Sequence, residues 1–123
     1  MDSESIADLF APLGPVRIRK MFGGQGVYRG ELMFALEAYG ELYLKADAET
    51  VPLFEAAGSR PFVYEKDGRT ARMSYWLLPE PAADDPEEAS RWGRLAVEAA
   101  ARTAAGRVGR PRAGRRVRGA RLA

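Results

Sequence analysis

The sequence contains no cysteine and no histidine. Without cysteine the chain cannot form a disulfide, a thiolate nucleophile or a cysteine-based zinc or iron–sulfur site. Without histidine it lacks the usual general base at neutral pH, so Ser-His-Asp and Cys-His catalytic arrangements are excluded. The groups that remain for chemistry are carboxylates, lysine, arginine, tyrosine and serine. We therefore expect a protein that is not an enzyme and that has no cofactor and no metal site.

Long apolar segments are absent as well. No run approaches the ~18 consecutive apolar residues of a membrane-spanning helix. The first residues, Met1-Asp2-Ser3-Glu4, have neither the basic region nor the apolar region of a secretory signal. The 123 residues are nevertheless 46% hydrophobic, which is enough to bury a core. These features predict a cytoplasmic protein with one folded domain.

Charge is distributed unevenly along the chain. The formal net charge is +2, but residues 106–123 contain seven arginines and no acidic residue. Residues 1–105 carry twelve basic and seventeen acidic residues, a net charge of −5. Such asymmetry indicates an interaction tail rather than a basic globular surface. We expect a folded domain over residues 1–105 and a disordered Arg-rich tail over 106–123, because the tail has too few apolar residues to offset its ordering entropy.

Three segments have the apolar spacing of amphipathic helices. The first begins near Ser3 or Ser5, either of which could cap it. The second follows Asp47 or Thr50. Because Pro52 is tolerated only in a first helical turn, it favours Thr50 as the cap.

The third predicted helix has the strongest start signal. Asp85 is a suitable N-cap, Pro86 suits the first helical position, and Glu88 would complete a capping box. The apolar stripe of this helix includes Trp92, whose indole we expect to pack against a sheet. The helical pattern fades at Gly106.

The strands are predicted in two antiparallel units. Residues 16–45 have the pattern of three short strands joined by tight turns, with a glycine-rich interruption at residues 23–26 in the first strand. Residues 62–64 and 71–77 alternate on either side of Asp67-Gly68, the dipeptide that a type I′ hairpin turn prefers. The fold class is therefore α+β: a two-layer, five-stranded antiparallel sheet with helices on one face, in the order α-β-β-β-α-β-β-α.

Several segments resemble the TfoX N-terminal domain family. Residues 19–28 read Arg-Lys-Met-Phe-Gly-Gly-Gln-Gly-Val-Tyr and resemble the family signature. Three later segments of the family pattern are similar to residues 40–45, 52–62 and 73–76. The similarity runs in order from about residue 9 to about residue 100. It implies the same α+β order of elements. It also implies a role like that of the TfoX/Sxy regulators of competence, which act as co-activators with the cyclic-AMP receptor protein.

The resemblance implies no catalytic or ligand residues. We expect a stand-alone N-terminal domain of this type, without the second helical domain of full-length members. Its partners would be a transcription regulator such as the cyclic-AMP receptor protein, and DNA. No membrane contact is expected, and the chain would be a monomer or a homodimer.

The tail is the strongest candidate for a functional segment. Its arginines are interleaved with Gly, Pro, Ala and Val, and a polycation of this kind binds phosphate backbones through counterion release without sequence preference. The arginines predicted to contact DNA are Arg107, Arg110, Arg112, Arg115, Arg116, Arg118 and Arg121. The alternatives are a solvated tail without a binding role and a tail that folds back on the acidic domain.

Two features of the predicted sheet have competing interpretations. Residues 23–26 could cradle a phosphate, but they lack the Lys-Ser/Thr of a P-loop and lie between strands, so a bulge or tight turn is favoured. Six aromatic residues could form a base-stacking platform, although their alternation favours core packing. They are Tyr28, Tyr43, Phe62, Tyr64, Tyr75 and Trp76. Tyr64, Tyr75 and Trp76 cannot all face the same way, so at least one is expected on the open face of the sheet.

These observations predict a small regulatory or adaptor protein that works by binding. One alternative is a small-ligand binder or enzyme that uses the sheet face. Another is a structural dimerisation module that pairs through that face or through an edge strand.

Overall fold

The computed structural model describes residues 1–21 and 23–109. The elements in chain order are α1 (Ser3–Leu9), β1 (Arg17–Met21), β2 (Gly24–Arg29), β3 (Leu32–Ala38), β4 (Glu41–Lys45), α2 (Val51–Ala56), β5 (Pro61–Lys66), β6 (Arg69–Leu77) and α3 (Pro86–Gly109). Short 3-10 turns, Ala11–Leu13 and Glu80–Ala82, follow α1 and precede α3.

The strands form one antiparallel sheet in the order β1-β2-β3-β4-β6-β5. The mixed helix-and-sheet class is confirmed, but the predicted number of strands is wrong, because the described residues form a sheet of six strands instead of five. The glycine-rich segment does not interrupt one strand. The chain turns at Gly23, where φ is +70°, and Met21 then pairs with Gly24 across a hairpin.

The helices cover one face of this sheet. Helix α3 lies against β3, β4 and the turn Ala11–Leu13. Its inward side is made of small residues, and a Cβ on Gly93 would come within 3.3 Å of Leu13 and Phe10, so the helix approaches its neighbours closely. The largest fully buried apolar side chains between the two layers are Ile6, Phe10, Val27, Phe34, Leu44 and Phe54.

A second apolar cluster lies on the opposite face of the sheet, which we call the open face. It combines Leu36, Ala38, Tyr43 and Tyr75 with half-buried neighbours from β3, β5 and β6, and no described helix contributes to it. Trp76 belongs to the helix-covered core instead. The prediction that Tyr64, Tyr75 and Trp76 cannot all face the same way is therefore confirmed.

The helix starts agree with the sequence in part. Oδ1 of Asp2 accepts a 2.8 Å hydrogen bond from the Ser5 amide, so the cap of α1 is Asp2 and not Ser3 or Ser5. The carboxylate of Asp85 accepts hydrogen bonds from the amides of Glu87 and Glu88, as predicted for α3. A carboxylate at this position also interacts favourably with the helix dipole.

The prediction for α2 is confirmed in position, since Thr50 is its N-cap residue and Pro52 lies in its first turn. The side-chain contacts to the amides there come from the carboxylate of Asp47 and not from Thr50. Helix α3 does not fade at Gly106, since it continues to Gly109. Trp92 is half-buried and packs against the core between the helices and the sheet, where its ring centroid lies 4.7 Å from that of Phe54 of α2.

Candidate functional site

The arginines predicted to contact DNA are at the very end of the chain. Arg110, Arg112, Arg115, Arg116, Arg118 and Arg121 lie outside the described residues, and Arg107 is described only as part of the backbone of α3. Residues 106–109 of the predicted tail thus belong to α3, and the side chains of the seven arginines lie outside what the structure describes.

An ion-pair cluster anchors the C-terminal part of α3. Nε of Arg102 lies 2.6 Å from Oδ2 of Asp47, its Nη2 lies 3.1 Å from Oδ1, and Nε is also 3.2 Å from Oε2 of Glu49. Asp47 and Glu49 directly precede α2. The cluster therefore fixes α3 at Arg102 against the start of α2.

The hydrogen bond from Arg102 holds the pKa of Asp47 below its ordinary value of 3.8. Partial burial raises this pKa, and hydrogen bonds from the amides of Thr50 and Glu49 lower it. A carboxylate whose pKa is lower in the folded than in the unfolded state stabilises the fold only while it is ionised. The contribution of Asp47 to the free energy of unfolding is therefore fully present at pH values above the ordinary pKa. It is lost as the pH falls through the lowered pKa of the folded state.

The open face carries arginines at the β1 edge. The register pairs Arg17 with Tyr28 and Arg19 with Gly26, and it places both arginines on the same side as Leu36. Cζ of Arg17 lies 4.8 Å from the centroid of the Tyr28 ring, a cation–π contact. Both arginines are exposed.

Aromatic rings continue across the open face toward the β5 edge. The rings of Tyr43 and Phe62 meet edge-on at 4.8 Å, and Phe62 stacks on Tyr64 at 6.3 Å. Nζ of Lys45 lies 5.4 Å from the centroid of Tyr75. Core packing is confirmed for Tyr43 and Tyr75, which are more than nine-tenths buried, whereas Tyr64 is 40% exposed.

One carboxylate in the described strands points to the open face. Glu41 is on this face because it pairs with Ala38, and it is already occupied by the guanidinium of Arg60 at 3.2 Å and the hydroxyl of Tyr43 at 3.0 Å. Burial, together with the hydrogen bond to Glu41, raises the pKa of Tyr43 above its ordinary value of 10.0. The carboxylates of Glu37 and Glu65 belong to the other side of the sheet by register. The open face is therefore cationic, although residues 1–105 are acidic in total.

The glycine-rich segment has a packing role. An added Cβ on Gly24 would lie 1.9 Å from the backbone oxygen of Glu37 in β3. A Cβ on Gly26 would lie 2.8 Å from the sulfur atoms of Met21 and Met33. The turn at Gly23 confirms the tight-turn interpretation, and the amides of this segment serve the strand ladder rather than a phosphate cradle.

This hairpin contains residues 19–28, the segment that resembles the signature of the family predicted from the sequence. The TfoX N-terminal domain profile matches residues 8–100. The chain belongs to the TfoX N-terminal domain family. The sequence is also 34% identical to the DNA transformation protein TfoX1 of Aliivibrio fischeri over 68 residues, which cover 55% of this chain and 32% of that protein. The similarity thus spans about a third of the curated relative, and the family predicted from the sequence is confirmed.

A cleft of this TfoX N-terminal domain has a volume of about 740 Å³ and lies beside the β3–β4 turn and the end of β6. Its polar lining includes Glu41, which is paired with Arg60, and Ser59, whose hydroxyl donates to the carbonyl of Leu77 at 2.6 Å. These groups hold the fold together and do not form a nucleophile–base pair. Residues 1–21 and 23–109 also contain no group of three acidic side chains placed to hold a metal ion.

The helices of the TfoX N-terminal domain can also be compared with a membrane-spanning helix. Within the described part of the chain, no helix combines the length and the apolar character that crossing a bilayer requires.

Proposed function

We propose that this chain is a competence-related regulatory protein that acts by binding and not by catalysis. The observation that carries the proposal is membership of the TfoX N-terminal domain family over residues 8–100. The match to a protein named for DNA transformation supports the connection to competence. The cleft beside the β3–β4 turn adds support, because Glu41 and Ser59 in its lining are engaged in structural contacts.

The resemblance stated above supplies the proposed partner. We propose that the chain works in the cytoplasm, as a monomer or homodimer, together with a transcription regulator such as the cyclic-AMP receptor protein. In this role the domain over residues 1–105 is the adaptor, and the tail contacts DNA without sequence selectivity.

Deleting the gene is the direct test of the regulatory role. We expect transcripts from competence promoters, and the frequency of transformation, to fall by about tenfold or more, since co-activators act at the promoter step. A plasmid that encodes the intact chain should restore both values. Unchanged transcripts in the deletion strain would contradict the regulatory role.

The tail is proposed to bind duplex DNA through seven arginines. They are Arg107, Arg110, Arg112, Arg115, Arg116, Arg118 and Arg121. If each neutralises one phosphate, log K for the intact chain should fall with log[salt] at a slope of about −6, from about −0.9 per contact. Affinity should be nearly the same for duplexes of unrelated sequence, because phosphate contacts carry no base information. Fluorescence anisotropy of labelled duplexes at several salt concentrations measures both.

The matched variant replaces these seven arginines with glutamine in the full-length chain. It should lose most of the duplex affinity, and its slope should approach zero. A control that replaces Arg91 and Arg94, two exposed arginines of α3, should keep the steep slope. A steep slope in the tail variant would show that DNA is bound elsewhere and that the tail is not the contact.

A further inference from the structure

We propose that the open face of the sheet is a separate binding surface for single-stranded DNA. Its contacts would be the guanidinium groups of Arg17 and Arg19 and the rings of Tyr28 and Tyr64. This surface is independent of the tail. Only the choice of DNA over RNA rests on the proposed function, since the protein is proposed to act in DNA transformation.

The first argument is the separation of charge between the two layers. The net charge of residues 1–105 is −5, yet the only carboxylate that the described strands place on the open face is Glu41, which Arg60 neutralises. Arg17, Arg19 and Arg69 lie on this face by register and are exposed. A polyanion is therefore attracted to this face and repelled by the acidic surface of the remainder.

The second argument is the position of the rings relative to the cations. At one edge Arg17 covers Tyr28, and at the other edge Tyr64 stacks on Phe62 and is 40% exposed. Aromatic side chains on a basic surface bind single strands because every base has a face that can stack on them. The arginines can contact phosphates while the outer rings contact bases.

The third argument is the length of the face. Six strands at about 4.8 Å give a distance of about 24 Å from β1 to β5. This is the scale of a short segment of single strand, about four nucleotides, as on other single-strand platforms. Between the two edges, buried residues such as Leu36 and Tyr43 give the face an apolar surface beneath that segment.

The charge and shape of the face favour this occupant over the others. Duplex DNA hides the faces of its bases, so it would gain nothing from Tyr28 or Tyr64. A second copy of the chain would bring two cationic faces together, which is unfavourable. An acidic peptide would satisfy the arginines and leave the rings without bases to stack on.

The experiment measures binding of labelled dT12 to the full-length chain by fluorescence anisotropy. The face variant combines Arg17→Gln, Arg19→Gln and Tyr64→Ser. Its matched control combines Arg91→Gln, Arg94→Gln and Tyr39→Ser, three exposed residues of the same types outside the open face. We expect the face variant to bind dT12 about 10- to 100-fold more weakly, since one stacking ring and two phosphate contacts are lost, and the control to change about threefold or less.

The seven-arginine tail variant separates this proposal from the proposed function. It should lose duplex binding and still prefer dT12 to a duplex of the same length. A tail variant that binds neither DNA would overturn the proposal and leave the tail as the DNA contact. A face variant that binds dT12 as tightly as the control would overturn it too.

Two further measurements test the proposal on the unmodified chain, without any substitution. In the unmodified chain, dT12 should shift backbone amide resonances in β1, β2 and β5, and an abasic oligomer of equal charge should bind about tenfold more weakly. Shifts confined to residues after Gly109, equal binding of the abasic oligomer, or tighter binding of U12 than of dT12 would each contradict the proposal. Sedimentation that shows self-association through this face without DNA would assign it to a second copy of the chain instead.

Discussion

Replacing Phe54 with alanine is expected to lower the free energy of unfolding by about 3–5 kcal/mol. The ring is completely buried between α2, α3 and the sheet. Its centroid lies 4.7 Å from that of Trp92 and 6.2 Å from that of Trp76. Removing it leaves a cavity at the point where three elements meet. Chemical denaturation followed by tryptophan fluorescence measures the loss, because both indoles are in contact with this ring.

Leu53 is the matched control for Phe54. It precedes Phe54 on the same helix, but 46% of its surface is exposed. Leu53→Ala should therefore cost about 1 kcal/mol or less, since little apolar surface is buried there. Equal losses for the two variants would mean that α2 is not packed on the sheet through Phe54.

Replacing Gly24 with alanine is expected to cost about 3 kcal/mol. The new Cβ would lie 1.9 Å from the backbone oxygen of Glu37, a partner that cannot rotate away as a side chain could. Relief of this overlap requires β2 and β3 to move apart where Gly24 pairs with Ala38. Forcing extra volume into a packed region commonly costs 1–3 kcal/mol, and a backbone clash belongs at the upper end. Thermal and urea denaturation measure the loss.

Gly106→Ala is the control for the same chemical change at an open position. Gly106 is in α3, and an added Cβ there meets no atom within 4 Å. Alanine has a higher helix propensity than glycine, so this variant should be equally stable or gain up to about 1 kcal/mol. If Gly24→Ala were as well tolerated as Gly106→Ala, the close approach of β2 to β3 would be disproved.

Sequence-based prediction succeeded where the structure depends on a few adjacent residues. The turn at Asp67-Gly68 was predicted from that dipeptide, and both residues have positive φ, +53° and +75°. The cap of α3 was predicted from Asp85 and Pro86, and the carboxylate of Asp85 contacts the first amides of the helix. A turn and a cap involve groups within a few residues of each other, so their chemistry is visible locally.

The strand count failed where two local interpretations compete. A glycine-rich segment between apolar runs is compatible with a bulge in one strand or with a turn between two strands. The outcome depends on pairing with β3, where Gly24 lies opposite Ala38 and Gly26 opposite Leu36. The contacts that distinguish the two possibilities are therefore distant in sequence. The cap of α1 was misplaced because Ser3 and Ser5 are capping residue types as well, and only the backbone shows that the Ser5 amide donates to Asp2.

The cationic open face was also missed, although part of its signal is present in the sequence. Arg17 and Arg19 alternate with Ile18, a pattern that places both arginines on one side of a strand. Charged residues on a strand face are usually solvated, so the pattern alone does not indicate a binding surface. The location of the acidic side chains on the other side of the sheet, or in ion pairs such as that of Glu41 with Arg60, became visible only with the strand register.

The sequence by itself determined the family, the antiparallel hairpin of β5 and β6, the start of α3 and the division between an acidic domain and a basic tail. These properties follow from short motifs and from composition, which need no knowledge of distant contacts. Tertiary structure decided the number of strands, the face to which each aromatic residue belongs and the position of the arginines relative to the rings. Those properties depend on register between strands, and a shift of one residue moves every side chain to the opposite face.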